Sequence, residues 1–161
     1  MTARVSTSTS AGWTAIAHGV ERSLVVPPER GSELALDSLR LAPGAALDLD
    51  DPLHDTLLFA HGGDGDFAGA QIAGPGGAVL AAGAGASLQA GTAGLELVRA
   101  TIGAATDLHA PMGATEPVVT LSAVGAGAAT GSRSFRILHG PHNGSVRATT
   151  FVGAIPPGKA P

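Results

Sequence analysis

Apolar positions along this chain come in short bursts cut by Gly, Pro and Asp, and no window holds a period of 3.6 for three turns. After Gly31 the bursts are Leu34–Leu41, Ala45–Leu49, Thr56–Ala60, Phe67–Ile72, Val79–Ala82, Ala86–Gln89 and Leu95–Ile102. Between them lie Asp50-Asp51-Pro52, His61–Gly65, Gly74–Gly77 and Gly91–Gly94. Strand-length pieces recurring about every 8–12 residues, with turn chemistry between them, predict an all-β sandwich or barrel. Leu34 and Leu36 are out of phase with Leu39 and Leu41, which predicts a bulge near Asp37-Ser38. Ala78–Ala86 is alanine-rich enough to suggest helix, but Gly83 and Gly85 each cost a helix about 1 kcal/mol.

The texture divides the chain into four parts. Residues 1–30 read as an N-terminal arm: Ser, Thr and Ala to residue 12, then an extended piece or one short edge strand from Trp13 to Val26. Pro27-Pro28 ends it, since that pair fits neither a helix nor a central strand. Residues 31–105 hold the barrel. Residues 106–133, broken by Pro111, Pro117, Gly125, Gly127 and Gly131, read as a linker with one short strand at Val118–Leu121. Residues 134–161 carry two strands, Ser134–Leu138 and Ser145–Ile155, around Asn143-Gly144, the strongest hairpin signal in the chain. A terminal strand so long and apolar invites association if left bare. It is expected to pair with the barrel sheet or to exchange with another copy, giving a homo-oligomer.

Composition narrows the function classes. With 161 residues the chain suits one domain. Charged residues are 14%, and the net charge is −4 with no basic run, so a nucleic-acid footprint is absent. No apolar stretch approaches the ~20 residues of a membrane-spanning helix. Cysteine is absent, which removes disulfides and thiolate chemistry. The N-terminus lacks the apolar core of a signal peptide, so a cytoplasmic location is expected. Apolar residues reach 44%, yet aromatics are only 3%, leaving Trp13, Phe59, Phe67, Phe135 and Phe151 as large core fillers.

Pro43-Gly44, a strand, a second strand running into glycines, a glycine turn, and a Gly-rich strand followed by Ala90-Gly91-Thr92 resemble a cupin. The closer likeness is to the N-terminal half of a two-cupin protein. It covers about Leu39–Ile102, and a second match opens at Ser134–Pro161, where Gly158 stands as the opening glycine of another motif. The resemblance implies a jelly-roll barrel, or double-stranded β-helix, with a metal held by His-x-His, a Glu and a later His. Registered on Gly44 and Gly63, the first three ligand positions fall on Asp50, Pro52 and Thr56. Registered on Gly83, the second motif runs through Gln89, Gly91, Gly94 and Val98, and the fourth ligand position falls on Gly94. One carboxylate and one hydroxyl do not supply the roughly three protein ligands of a catalytic site. No cofactor is therefore expected in this chain, with any divalent transition metal left to a second barrel.

Other candidate groups also have plain structural roles open to them. Asp50 and His54 are four residues apart and could share a strand face, with His61 as a third ligand, but Pro52 between them favours a solvated turn. His139 and His142 bracket Gly140-Pro141, where two exposed imidazoles on a turn are the commoner outcome. Asp107 and His109 form a similar pair in the linker, and His18 stands alone. No Gly-x-Ser-x-Gly elbow occurs, and the Gly-x-Gly runs at Gly83 and Gly125 complete no phosphate-binding fingerprint. The leading expectation is a metal-free cupin-like barrel acting as the scaffold half of a small-molecule metalloenzyme, dioxygenase- or isomerase-like by resemblance. The alternative is a barrel that binds a small-molecule ligand without metal, or an oligomerisation module. The dominance of Ala and Gly tilts this choice toward a cavity.

Overall fold

The computed structural model describes residues 12–28, 33–103, 110 and 112–158. Twelve strands occur among them. The first eight are β1 (Thr14–Ala17), β2 (Val20–Val26), β3 (Leu34–Leu41), β4 (Ala46–Leu49), β5 (Asp55–Phe67), β6 (Ala70–Ala73), β7 (Gly76–Leu80) and β8 (Ala86–Ile102). They are followed by β9 (Val118–Thr120), β10 (Gly127–Ala129), β11 (Arg133–His139) and β12 (Thr150–Ala154). The main sheet runs β1-β2-β3-β8-β5-β7-β9, with β4 on β8 and β6 on β5. A second sheet is β10-β11-β12, and every pairing in both sheets is antiparallel.

The barrel closes because β5 and β8 each serve two neighbourhoods. Residues 86–90 of β8 pair with β4 and the end of β5, while residues 95–102 pair with β3 and the start of β5. The two strands bend where they cross, at Gly63 and Gly94, both in the left-handed region with φ of 77°. A Cβ on Gly63 would strike the Gly94 carbonyl, so the crossing accepts only glycine. The glycine spacing visible in the sequence marks this corner.

Inside the bend, Leu39, Leu41, Leu58, Phe67, Ile72, Leu88, Leu95 and Leu97 form one buried cluster. Each such side chain contributes roughly 1.5–3 kcal/mol when fully buried.

Several expectations change here. Trp13–Val26 is not an arm with a single strand. It forms the β1–β2 hairpin, and β2 pairs with β3 from Val20↔Leu41 to Val26↔Leu36. Val20 is wholly buried, but Glu21 and Arg22 beside it mask the alternation in the sequence. The predicted bulge lies on β2, between Leu24 and Val26, while β3 keeps unbroken register with β8. What reads as a phase slip in β3 is its inward face changing from leucine to Asp37. The linker contributes β9, on β7, and β10, on β11. Asp107 and His109 lie outside the described residues.

The turn at Asn143-Gly144 is broader than a two-residue hairpin. Pro141–Asn143 make a short 3₁₀ turn, Gly144 takes φ of 99°, and β12 begins only at Thr150. Asn143 organises the turn from inside. Its side-chain oxygen accepts the Gly140 N–H at 2.9 Å, and its amide donates to the Leu138 carbonyl at 2.7 Å. β12 pairs with β11 rather than with a barrel strand. The small sheet meets the outside of β7 through Leu138 and His139, and a Cβ on Gly77 would lie 3.2 Å from the His139 ring.

Candidate functional site

Residues directly opposite one another in an antiparallel pair share a face, so the register fixes what points inward. Along β8 the inward series is Leu95, Leu97, Arg99, Thr101; their β3 partners are Leu41, Leu39, Asp37, Ala35. On β5 the matching residues are Leu97's partner Ala60, Arg99's partner Leu58 and Thr101's partner Thr56. One end of the barrel is therefore dry and the other end polar. The polar end opens into a cavity of about 540 Å³ lined by Arg22, Asp37, Thr56, Arg99 and Thr101, with Glu33, residues 48–52 and His54 at its rim.

Asp37 and Arg99 face each other across β3 and β8. Arg99 Nη2 donates to Asp37 Oδ2 at 2.6 Å and Nε donates to Oδ1 at 3.1 Å. The side chains are only 9% and 18% exposed, so each charge depends on the other for its solvation. A fork-to-carboxylate pair of this kind also fixes the guanidinium plane against the cavity wall.

The rim is an Asx turn. Asp51 Oδ1 accepts the N–H groups of Leu53 at 2.9 Å and His54 at 3.0 Å. Both Asp51 oxygens lie 2.9 Å from His54 Nδ1. Partial burial would raise the Asp51 carboxyl, but these bonds and the imidazole outweigh it and hold the carboxyl below its ordinary value.

The structure brings together three of the four positions aligned with cupin ligands. Thr56 is inward and buried, while Asp50 and Pro52 are exposed at the same rim. Gly94 lies seven residues before Thr101 on β8, roughly 23 Å away along an extended strand. His54 bonds Asp51 rather than Asp50. His61 points to the outer surface, 4.0 Å from Glu96 Oε2, and does not join His54. A hydroxyl, an exposed carboxylate, a proline and a distant glycine do not fit a divalent transition metal. Among the described residues no group of three or more His, Cys, Asp or Glu is placed to hold one.

His139 and His142 do not converge either. His142 is exposed, whereas His139 is sealed between the sheets, and neither of its ring nitrogens has a hydrogen-bond partner among the described residues. Burial pushes the His139 imidazole below its ordinary value, His142 adds to that, and Glu116 opposes it. The residues that sequence reasoning missed are Asp37 and Arg99. Their signal, a charged residue at an inward position in each of two strands, becomes readable only once β3 and β8 are paired.

An antiparallel jelly roll whose long strands bend across a glycine corner, with a cavity at one mouth, is a barrel of cupin type. No family model matches the sequence. No curated protein matches it. Solved structures do. KdgF from Halomonas sp. superposes with a TM-score of 0.55 at 14% identity, over 66% of this chain and 98% of that one. Oxalate decarboxylase OxdC from Bacillus subtilis gives 0.52 at 18% identity, over 63% of this chain and 31% of that one. The formate complex of Lactobacillus farciminis oxalate decarboxylase gives 0.53 at 21%, over 64% and 34%. The chain thus spans about a third of the oxalate decarboxylases and nearly all of KdgF. At these identities the likeness is one of fold. Among the described residues no helix is long and apolar enough to cross a membrane.

Proposed function

We propose that this chain is a cupin-type barrel that binds a small polar organic molecule in its mouth cavity through side chains alone. The observation that carries the reading is the switch of the inward face from leucine to Asp37, Arg99, Thr56 and Thr101, beside about 540 Å³ of space. That volume falls within the range of roughly 300–1,000 Å³ typical of small-molecule sites. A scaffold half serving a metal in another barrel would need only a filled, apolar interior, so the polar lining favours binding.

The charge at the mouth indicates the ligand class. Asp37 is matched by Arg99 and Asp51 by His54, which leaves Glu33, Asp48 and Asp50 against Arg22 around the cavity. Among the described residues, three carboxylates against one guanidinium favour an organic amine over a carboxylate. The test is thermal unfolding with ethanolamine and putrescine, compared with glycolate and succinate. An amine at about a hundred times its Kd raises stability by ~2.7 kcal/mol. The expected result is a raised Tm with the amines alone, lost in Thr101→Phe, which fills the cavity. No shift with any of the four, or a shift that survives Thr101→Phe, overturns the reading.

A further inference from the structure

A second cleft lies on the outer surface of the same sheet. Ser23 on β2 and Ser38 on β3 are direct cross-strand partners on the outward face, one residue along from the inward Asp37. Two such small side chains leave a floor that larger neighbours do not fill. The walls are Trp13, Arg40, His61 and Glu96, around a cavity of about 280 Å³. Arg40 stands opposite Glu96 across β3 and β8, with Nε 3.4 Å from Oε1. Its guanidinium also lies 4.0 Å from the centroid of the Trp13 ring. His61 is the bulged residue of β5, between Ala60 and Gly62, and the bulge brings its Nδ1 to 4.0 Å from Glu96 Oε2. Glu96 thus sits between two nitrogen groups at the cleft wall, closer to Arg40 than to His61.

We propose that this outer cleft is a binding site for a small neutral polyhydroxylated molecule, such as a single sugar ring. The donor and acceptor inventory suits hydroxyls. Arg40 donates only, Glu96 accepts only, and His61 and the serine floor can do both. Among the described residues the cleft holds one guanidinium and one carboxylate, which balance, so an anionic ligand meets Glu96 and a cationic ligand meets Arg40. Arg40 covers one face of the Trp13 ring, and the indole adds an apolar edge and an N–H donor to the cleft wall. The volume lies just under the roughly 300–1,000 Å³ of drug-sized pockets, which fits one ring rather than a chain. The site shares no lining residue with the mouth cavity and does not depend on what that cavity binds.

The chain has one tryptophan and no tyrosine, so intrinsic emission reports on this cleft alone. Titration with glucose is expected to give a saturable change in emission. Glucuronate and glucosamine are expected to bind at least tenfold more weakly. Ser38→Leu, which fills the floor, is expected to abolish the response, while Thr101→Phe in the mouth retains it. Where Ser38→Leu fails to fold by circular dichroism, Glu96→Gln on the exposed wall serves instead, with an expected severalfold loss of glucose affinity. An unsaturable response, equal binding of the charged sugars, persistence in folded Ser38→Leu, or unchanged affinity in Glu96→Gln would overturn the assignment.

Discussion

Asp37 shows how a single residue sets the character of one end of the barrel. Replacing it by alanine leaves the Arg99 guanidinium inside the wall without its counter-ion. The expected cost is about 3–5 kcal/mol, read by urea unfolding. Converting both Asp37 and Arg99 to leucine is expected to cost far less, because no orphaned charge remains. Equal losses in the two variants would mean that packing, not charge, sets the effect. Gly63 gives a second prediction. Gly63→Ala meets both a left-handed backbone and the Gly94 carbonyl. A loss of at least ~2 kcal/mol is expected in the same measurement, since the backbone term alone is about 1–2 kcal/mol. At this scale the sequence was half legible. The glycines announced themselves by spacing. Asp37 did not, because a charged residue in a strand reads as outward-facing until its partner strand is known, and Arg99 is 62 positions away.

Among the elements, the contact between β11 and β7 carries the clearest consequence. His139 is buried, neither ring nitrogen has a hydrogen-bond partner among the described residues, and it lies against a glycine that leaves just enough room for its ring. Burial holds its folded-state pKa below the ordinary imidazole value of 6.5. The unfolded chain therefore takes up a proton more readily than the folded chain as pH falls below about 6.5. Stability is full above that pH and declines below it, by up to ~1.4 kcal/mol per pH unit until the folded form also titrates. Glu116 and His142, the titratable groups that act on the ring, shift this window without reversing its sign. Unfolding measured from pH 7.5 to 5 is expected to show the decline, and His139→Leu to flatten it. An identical profile in the variant would assign the acid sensitivity elsewhere. Most strand positions from Leu34 to Ile102 were readable from the alternation, but His61–Gly65 and Gly91–Gly94, which read as turns, lie inside β5 and β8. The β1–β2 hairpin was not readable, because its inward residues Val20 and Leu24 flank an inward Arg22. Likewise, Asn143-Gly144 signalled a turn correctly, but the buried Asn143 side chain builds a wider one than two residues provide.

For the molecule as a whole, the two sheets are unequally anchored. The barrel holds one buried apolar cluster at its dry end, while β11 rests on β7 through Leu138 and His139 and residues 148–151 line a cleft against Leu57, Phe59, Val98 and Ala100 of β5 and β8. Amides of β11 and β12 are expected to exchange with solvent hydrogen at least tenfold faster than those of β5 and β8. Equal protection would make the two sheets one cooperative unit. The sequence conveyed the jelly roll because its glycine corners and strand lengths repeat a recognisable frame. It conveyed the cavity poorly, because hollowness depends on which residues face each other across strands far apart in the chain.

The position of β8 in the chain has a kinetic consequence. It is the last of the strands that close the barrel, and β3, β4 and β5 all pair with it. Leu34 meets Ile102 across 68 positions, so loop closure comes long before the contacts that reward it. Until residue 102 has left the ribosome, β3 and β5 have no central partner and present bare edges. At about 5–20 residues per second that exposure lasts seconds during synthesis. Stopped-flow refolding is expected in the millisecond-to-second range of sheet-dominated domains, with Leu97→Ala slowing the folding limb. A nascent chain halted before β8 would be an open, adhesive sheet, and its solubility in the cell would depend on chaperones rather than on its own core.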